Sequence, residues 1–347
     1  MEQIRQSNYE LLRLFSIILI ILMHGIRSAY ISEYPINEFC FNIINTFGNM
    51  AVTVFMLISG FFGIQFRIHK LVHIWGTVLI YSMLTMGIGT ILLSIYFPHF
   101  LPNYPRTSTL KFIYTVFTPI GSNTYWFITS YIIIYCLSPF VNKLIELLNQ
   151  RQLEHFICVL MFFYILFPTF LLHSLSGSPN GKSTSNLLLV YIIGRYIALF
   201  GLPSVLKRHI FSIFITCILV IYVFDAYVFD KFFMCKDHNL FILISSICVF
   251  NYFGKFRFSS KAINKLASYC LQLYVLDTFL FDKFEIQYIE NINDALYIPK
   301  FLLAQTELII LSLLIAWITT PTIHFFINSI INYTNYIKRK LPNIGCT

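Results

Sequence analysis

The stretch Leu11-Leu12-Arg13-Leu14-Phe15-Ser16-Ile17-Ile18-Leu19-Ile20-Ile21-Leu22-Met23-His24-Gly25 decides the fold of this chain. It opens an apolar run over roughly residues 11–30, the length an α-helix needs to cross about 30 Å of hydrocarbon. No small-residue cleavage site follows Leu22, so the run reads as a retained span and not as a removed signal peptide. Comparable runs recur at roughly 44–64, 72–96, 124–141, 155–173, 187–202, 209–225, 238–253, 266–281 and 301–330. Ten spans are therefore expected. They are continuously apolar and do not alternate, which predicts helices and not barrel strands.

Composition leads to the same class. Of 347 residues, 57% are hydrophobic and only 11% charged, too few charges to clothe a soluble fold of this size. The expected fold is all-α, a single polytopic membrane domain over residues 1–347. No loop is long enough for a second domain, the longest being about 97–123. The sixth span is short, and the last is long enough to tilt or to run past the membrane, with Pro321 an expected kink.

Charge sets the expected orientation. With the N-terminus in the cytoplasm, the inner segments hold 14 basic residues, Arg67, Lys70, Lys338, Arg339 and Lys340 among them, and the outer loops hold 8. That excess predicts both termini inside. The net charge of +9 needs no nucleic acid; a cytoplasmic face lying on anionic lipid accounts for it. Most of the eight cysteines fall in apolar runs and read as small buried hydrophobes. Cys40 and Cys235 would share the outer side, which leaves a disulfide between them open.

Polar residues within spans are costly and mark function by default. Here they are Arg13, His24, Arg195, Asp277 and Glu307, with Glu10 at an edge. Arg13 and His24 are 11 residues apart, which places both on one helix face, about 17 Å apart along the axis. They cannot touch in a regular helix. A cation at the inner mouth and a titratable base further along the same stripe suit a long donor entering from inside. The residues alone leave a plainer reading open: Arg13 snorkelling and paired with Glu10, and His24 a hydrogen-bonded core histidine. Arg195 in the sixth span needs a partner, with Asp277 and Glu307 as candidates.

The second span ends in Ser59-Gly60-Phe61-Phe62-Gly63, a small pair that permits close helix approach. Arg67, His69, Lys70 and His73 follow. His69 and His73 have i,i+4 spacing, but no carboxylate is near and the loop is basic, so no metal is expected. Asn123-Thr124-Tyr125-Trp126-Phe127 opens the fourth span and fits an interfacial aromatic belt.

Taken in order, three pieces of this pattern resemble the acyltransferase 3 family, multi-pass bacterial acyltransferases that modify sugars of surface polysaccharides and related acceptors. The first is Arg13, ten residues, then His24. The second is Val54-Phe55-Met56-Leu57-Ile58-Ser59-Gly60-Phe61, like the family's FF-x-L-SG-[YF] run, with a basic patch after it. The third is Tyr125-Trp126-Phe127 leading to Leu137-Ser138-Pro139. The resemblance covers about residues 5–330. Two departures stand out. The run Ser268-Tyr269-Cys270-Leu271-Gln272-Leu273-Tyr274-Val275-Leu276 in the ninth span ends at Asp277, where relatives usually carry a histidine, and the patch after Arg67 lacks a second arginine three residues on.

The resemblance implies a membrane-bound O-acyltransferase of the bacterial cytoplasmic (inner) membrane. The expected co-substrate is acyl-CoA, most simply acetyl-CoA, with no permanently bound cofactor. The expected acceptor is a hydroxyl of a sugar, polysaccharide or glycolipid. His24 would be the catalytic base and Arg13 its motif partner toward the donor. Arg67 and Lys70 would meet the donor's phosphates, and Ser59 and Trp126 would shape the cavity, with Arg195 a further substrate-binding candidate. Asp277 would orient His24 as the third member of a triad does. The alternative is a transporter or flippase for a lipid-linked sugar, although neither inverted repeats nor paired broken helices are visible.

Overall fold

The structure of the protein, a computed structural model, describes residues 6–26, 34–89, 109–122, 124–171, 181–228, 234–284 and 296–340. These residues are 84% helical and include no strand. Helix α1 spans Ser7–Gly25 and α2 spans Pro35–Phe62, with Pro35 at the helix start, where its missing N–H is not needed. Helix α3, Ile68–Ser82, runs on as a π-helical segment over Met83–Gly89. A short helix, α4, forms over Thr109–Phe117 inside the segment expected as loop.

Helix α5 is Trp126–Leu147. Helix α6, Gln150–Met161, opens with a capping box between Asn149 and Gln152, then continues through a π-helical segment at Phe162–Leu166 into α7, Phe167–Leu171. The chain goes on through α8 (Thr184–Phe200), α9 (Ser204–Arg208), α10 (Ile210–Tyr227) and α11 (Leu240–Phe253). It then forms α12 (Lys261–Ala267), α13 (Cys270–Phe284) and α14 (Tyr297–Lys340).

Among the described residues, five helical runs are long and apolar enough to cross a membrane: Ser7–Gly25, Pro35–Phe62, Trp126–Leu147, Gln150–Phe170 and Tyr297–Thr334. Thr184–Phe200, Ile210–Asp225 and Leu240–Phe253 are shorter apolar helices. The third and ninth expected spans fall on α3 and α13. The ninth starts later than its apolar run, because the chain breaks at Ser268–Tyr269 and α12 forms separately. Pro321 lies inside α14 without ending it. The 44 residues of α14 extend about 66 Å, well beyond a hydrocarbon core.

Helix α2 is the centre of the bundle. Its most apolar window is 72% buried, against 28–33% for α5, α6–α7 and α14. Outer helices carry the reverse pattern, turning Phe140, Phe211 and Phe325 outward at 73–75% exposure. Lipid can cover such a surface; water cannot do so without cost. The chain is an integral membrane protein.

The small pair at the end of α2 does what its size permits. A Cβ on Gly60 would collide with the Tyr191 carbonyl oxygen of α8, and one on Gly194 would come within 2.6 Å of the Leu57 carbonyl oxygen. The two backbones therefore meet directly at this crossing. Gly63 ends α2 at φ 70°, with its N–H donating to Ser59 and Gly60 carbonyls; glycine takes that conformation without strain.

Two cysteine expectations need correction. Cys40 and Cys235 form no disulfide: both are free, and the buried Cys235 thiol lies 3.0 Å from Asp225 Oδ2 of α10 and 3.0 Å from Thr46 Oγ1 of α2. Cys217, Cys248 and Cys270 are buried as expected, whereas Cys136 and Cys158 face outward from α5 and α6.

Candidate active site

Helix α1 packs between α2, α12 and α13. That placement brings its polar stripe against α13, and His24 Nδ1 comes to 2.6 Å from Asp277 Oδ2. Both side chains are largely buried, 13% and 4% exposed, so water screens the contact little. An ionised carboxylate can only accept, so Nδ1 is the donor in this contact and Nε2 is left to face another group. The first and ninth expected spans meet at this pair.

Arg13, at the other end of the stripe, donates from Nη1 to Glu10 Oε1 at 3.0 Å. The plainer reading of that pair is thus present, but Arg13 also lines a half-open cavity of about 280 Å³. Ser59 of α2, Ile74 of α3, Phe127 and Tyr131 of α5, and Ser268 and Tyr274 beside α12 and on α13 share that lining. Ser59 is held in place by donating to the Phe55 carbonyl.

A second, much narrower cleft lies beyond this cavity. It encloses about 10 Å³ and is lined by His24, Asn49, Trp126, Lys182 and Asp237. Ile20, Phe127 and Tyr274 line both spaces and form the wall between them. The wall is braced by aromatic contacts: Tyr274 lies 6.1 Å from Phe127, 6.3 Å from Tyr125 and 6.3 Å from His24, ring centre to ring centre. Lys182 Nζ sits 5.7 Å from the Trp126 ring centre, a cation–π contact.

The remaining expected residues lie elsewhere. Arg67 and Lys70 are exposed at the start of α3 and do not line the cavity. They stand one to two turns before Ile74, which does, and the Arg67 N–H donates to Tyr135 Oη, whose ring lies 6.4 Å from that of Tyr131. Arg195 lines neither space. Its expected ion pair does not form: Asp277 is engaged with His24, Glu307 is exposed, and Arg195 Nη1 donates to the Phe61 carbonyl at 3.4 Å, beside Gly63. Among the described residues Arg195 Nε has no hydrogen-bond partner. His73 Nε2 lies 2.8 Å from Asn328 Oδ1, and Asn123 falls outside the described residues.

Sequence reasoning passed over Tyr131, Tyr274, Lys182 and Asp237. For Tyr274 a signal existed: it precedes Asp277 by three positions and so shares its helix face. Lys182 and Asp237 stand in the sequence as ordinary loop charges.

The fold and the site together define a membrane-embedded helical protein with a buried histidine–carboxylate pair at the edge of a half-open cavity. The chain belongs to the acyltransferase 3 family: the family model, described as an acyltransferase domain, matches residues 6–321. No curated protein and no solved structure matches the chain. Family membership supports a membrane acyltransferase.

Proposed function

We propose that this protein is an acyl-CoA-dependent O-acyltransferase that moves an acyl group, most simply acetyl, onto a sugar hydroxyl of a surface polysaccharide or glycolipid. One observation carries the reading: the His24–Asp277 pair stands one side chain away from a cavity that leads to Arg13. A hydroxyl is a poor nucleophile until a base takes its proton, and a neutral imidazole can do so near pH 7.

His24 Nε2 takes the hydroxyl proton while the oxygen attacks the thioester carbonyl carbon. The tetrahedral intermediate collapses, the C–S bond breaks, and the leaving thiolate takes the proton back from the imidazolium. Asp277 stabilises that imidazolium and holds the tautomer that keeps Nε2 free. The thioester arm occupies the cavity past Arg13, with Ser59, Tyr131 and Ser268 as polar guides along it. Arg67 and Lys70 take the phosphates in solution at the start of α3. We read the membrane as the bacterial cytoplasmic membrane with both termini inside, on the 14-to-8 distribution of basic residues.

The test is thiol release from acetyl-CoA by purified protein in nanodiscs. Wild type is expected to release thiol slowly, with water as acceptor, and His24→Ala is expected to abolish the release. Equal release by both proteins would remove His24 as the base.

A further inference from the structure

Asp237 is the most unusual group near the pair. Its side chain is 2% exposed, and among the described residues neither carboxylate oxygen has a hydrogen-bond partner. Buried polar groups are nearly always satisfied, and leaving a carboxylate unmatched is costly. The positive charge of Lys182 acts on it. Both residues line the narrow cleft with His24.

The cleft is built by two loops that the sequence keeps far apart. Asn186, the third residue of α8, donates from Nδ2 to the Asp237 carbonyl at 3.1 Å and to the Gly181 carbonyl at 3.4 Å, tying the segment before α8 to the segment before α11. Gly181 has φ +72°, and a Cβ there would come within 2.5 Å of the His238 backbone nitrogen. Only glycine lets the two segments close to this distance. Trp126 and its cation–π partner Lys182 complete the rim.

Size then limits the occupant. A space of about 10 Å³ takes one oxygen atom with its hydrogen and not a sugar ring. We propose that this cleft anchors the acceptor: one sugar hydroxyl enters it, donating to Asp237 and accepting from Lys182, while a neighbouring hydroxyl, the reacting one, faces His24 and the ring stays outside against Trp126. The inference rests on the acyltransfer reading and adds to it a residue for acceptor selection. It also brings donor and acceptor together at the Ile20–Phe127–Tyr274 layer, each from its own side.

The test uses full-length protein in nanodiscs, acetyl-CoA, and a panel of methyl glycosides of glucose, galactose, mannose and N-acetylglucosamine as acceptor probes. The readout is the ratio of acetylated glycoside to thiol released. Asp237→Asn is expected to lower that ratio at least about tenfold, the loss typical of one hydrogen bond to a charged group, with a rise in KM for the glycoside. Lys182→Met is expected to move it in the same direction. An unchanged ratio, including a proportional loss of both products, makes Asp237 structural and overturns the proposal. Thiol release that depends on His24, with no glycoside acetylated by wild type, also overturns it and leaves the donor reading standing. Absence of any His24-dependent release removes the acyltransfer reading itself.

Discussion

His24 Nδ1 and Asp277 Oδ2 lie 2.6 Å apart although 253 positions separate the two residues. A histidine needs its second nitrogen fixed before the first can act as a base. Asp277→Asn keeps the shape but can donate to Nδ1 and stabilise the wrong tautomer. Acyl transfer is expected to fall by roughly a hundredfold or more with the fold intact. Steady-state thiol release and a thermal scan, run on one preparation, check this. A variant with near wild-type turnover would remove Asp277 from the mechanism.

The Gly60–Gly194 crossing predicts a purely structural effect. Gly60→Ala forces a methyl into the Tyr191 carbonyl, so α2 and α8 must separate. Overpacking of this kind costs about 1–3 kcal/mol. Thermal unfolding in a fixed detergent should show a clear drop in Tm, and a variant as stable as wild type would mean the helices do not cross at these residues.

Asp237 predicts a pH dependence of stability. Burial pushes its carboxyl up to about 7, against the pull of Lys182. The folded state then holds this proton over a range where the unfolded chain, with a carboxyl near its usual value, has lost it. With more protons bound when folded, stability falls as pH rises from about 4 through about 7. Asp237→Asn removes this contribution. The variant should match wild type at pH 4 and exceed it above pH 7 in Tm. The opposite trend would show that the carboxylate is stabilised by partners in the fold.

Phe127 predicts a change in where the acyl group goes. It lines both the cavity and the cleft. Phe127→Ala should open one space to the other and raise thiol release without acceptor several-fold relative to glycoside acetylation. A ratio that stays put would show that the wall does not control access of water to the thioester.

Much of this arrangement can be read from the sequence, for stated reasons. Apolar runs longer than any soluble core needs announce the helices, and an 11-residue step between Arg13 and His24 places them on one face whatever surrounds them. Asp277 stands out because a carboxylate inside an apolar run must be matched, and the match proved to be His24. Arg195 misled for the same reason. Its guanidinium reached the Phe61 carbonyl and not a carboxylate, because the turn at Gly63 leaves that carbonyl within reach. Lys182 and Asp237 were illegible because charges between spans look solvated. Only the bridge from Asn186, 51 positions before Asp237, encloses them, and no local pattern encodes such a closure. The late start of α13 was hidden as well, since Ser268 and Tyr269 interrupt the helix without a proline or glycine to announce it.

The Ile20–Phe127–Tyr274 wall also matters to the membrane in which the protein sits. Two hollows joined end to end, each with charged groups in its lining, would let water run from Arg13 past His24 to Asp237, and a bilayer holding such a thread would leak protons. Three side chains, one layer deep, interrupt it. The hydroxyl oxygen and the thioester carbon meet at that layer, and the membrane stays electrically tight while they react.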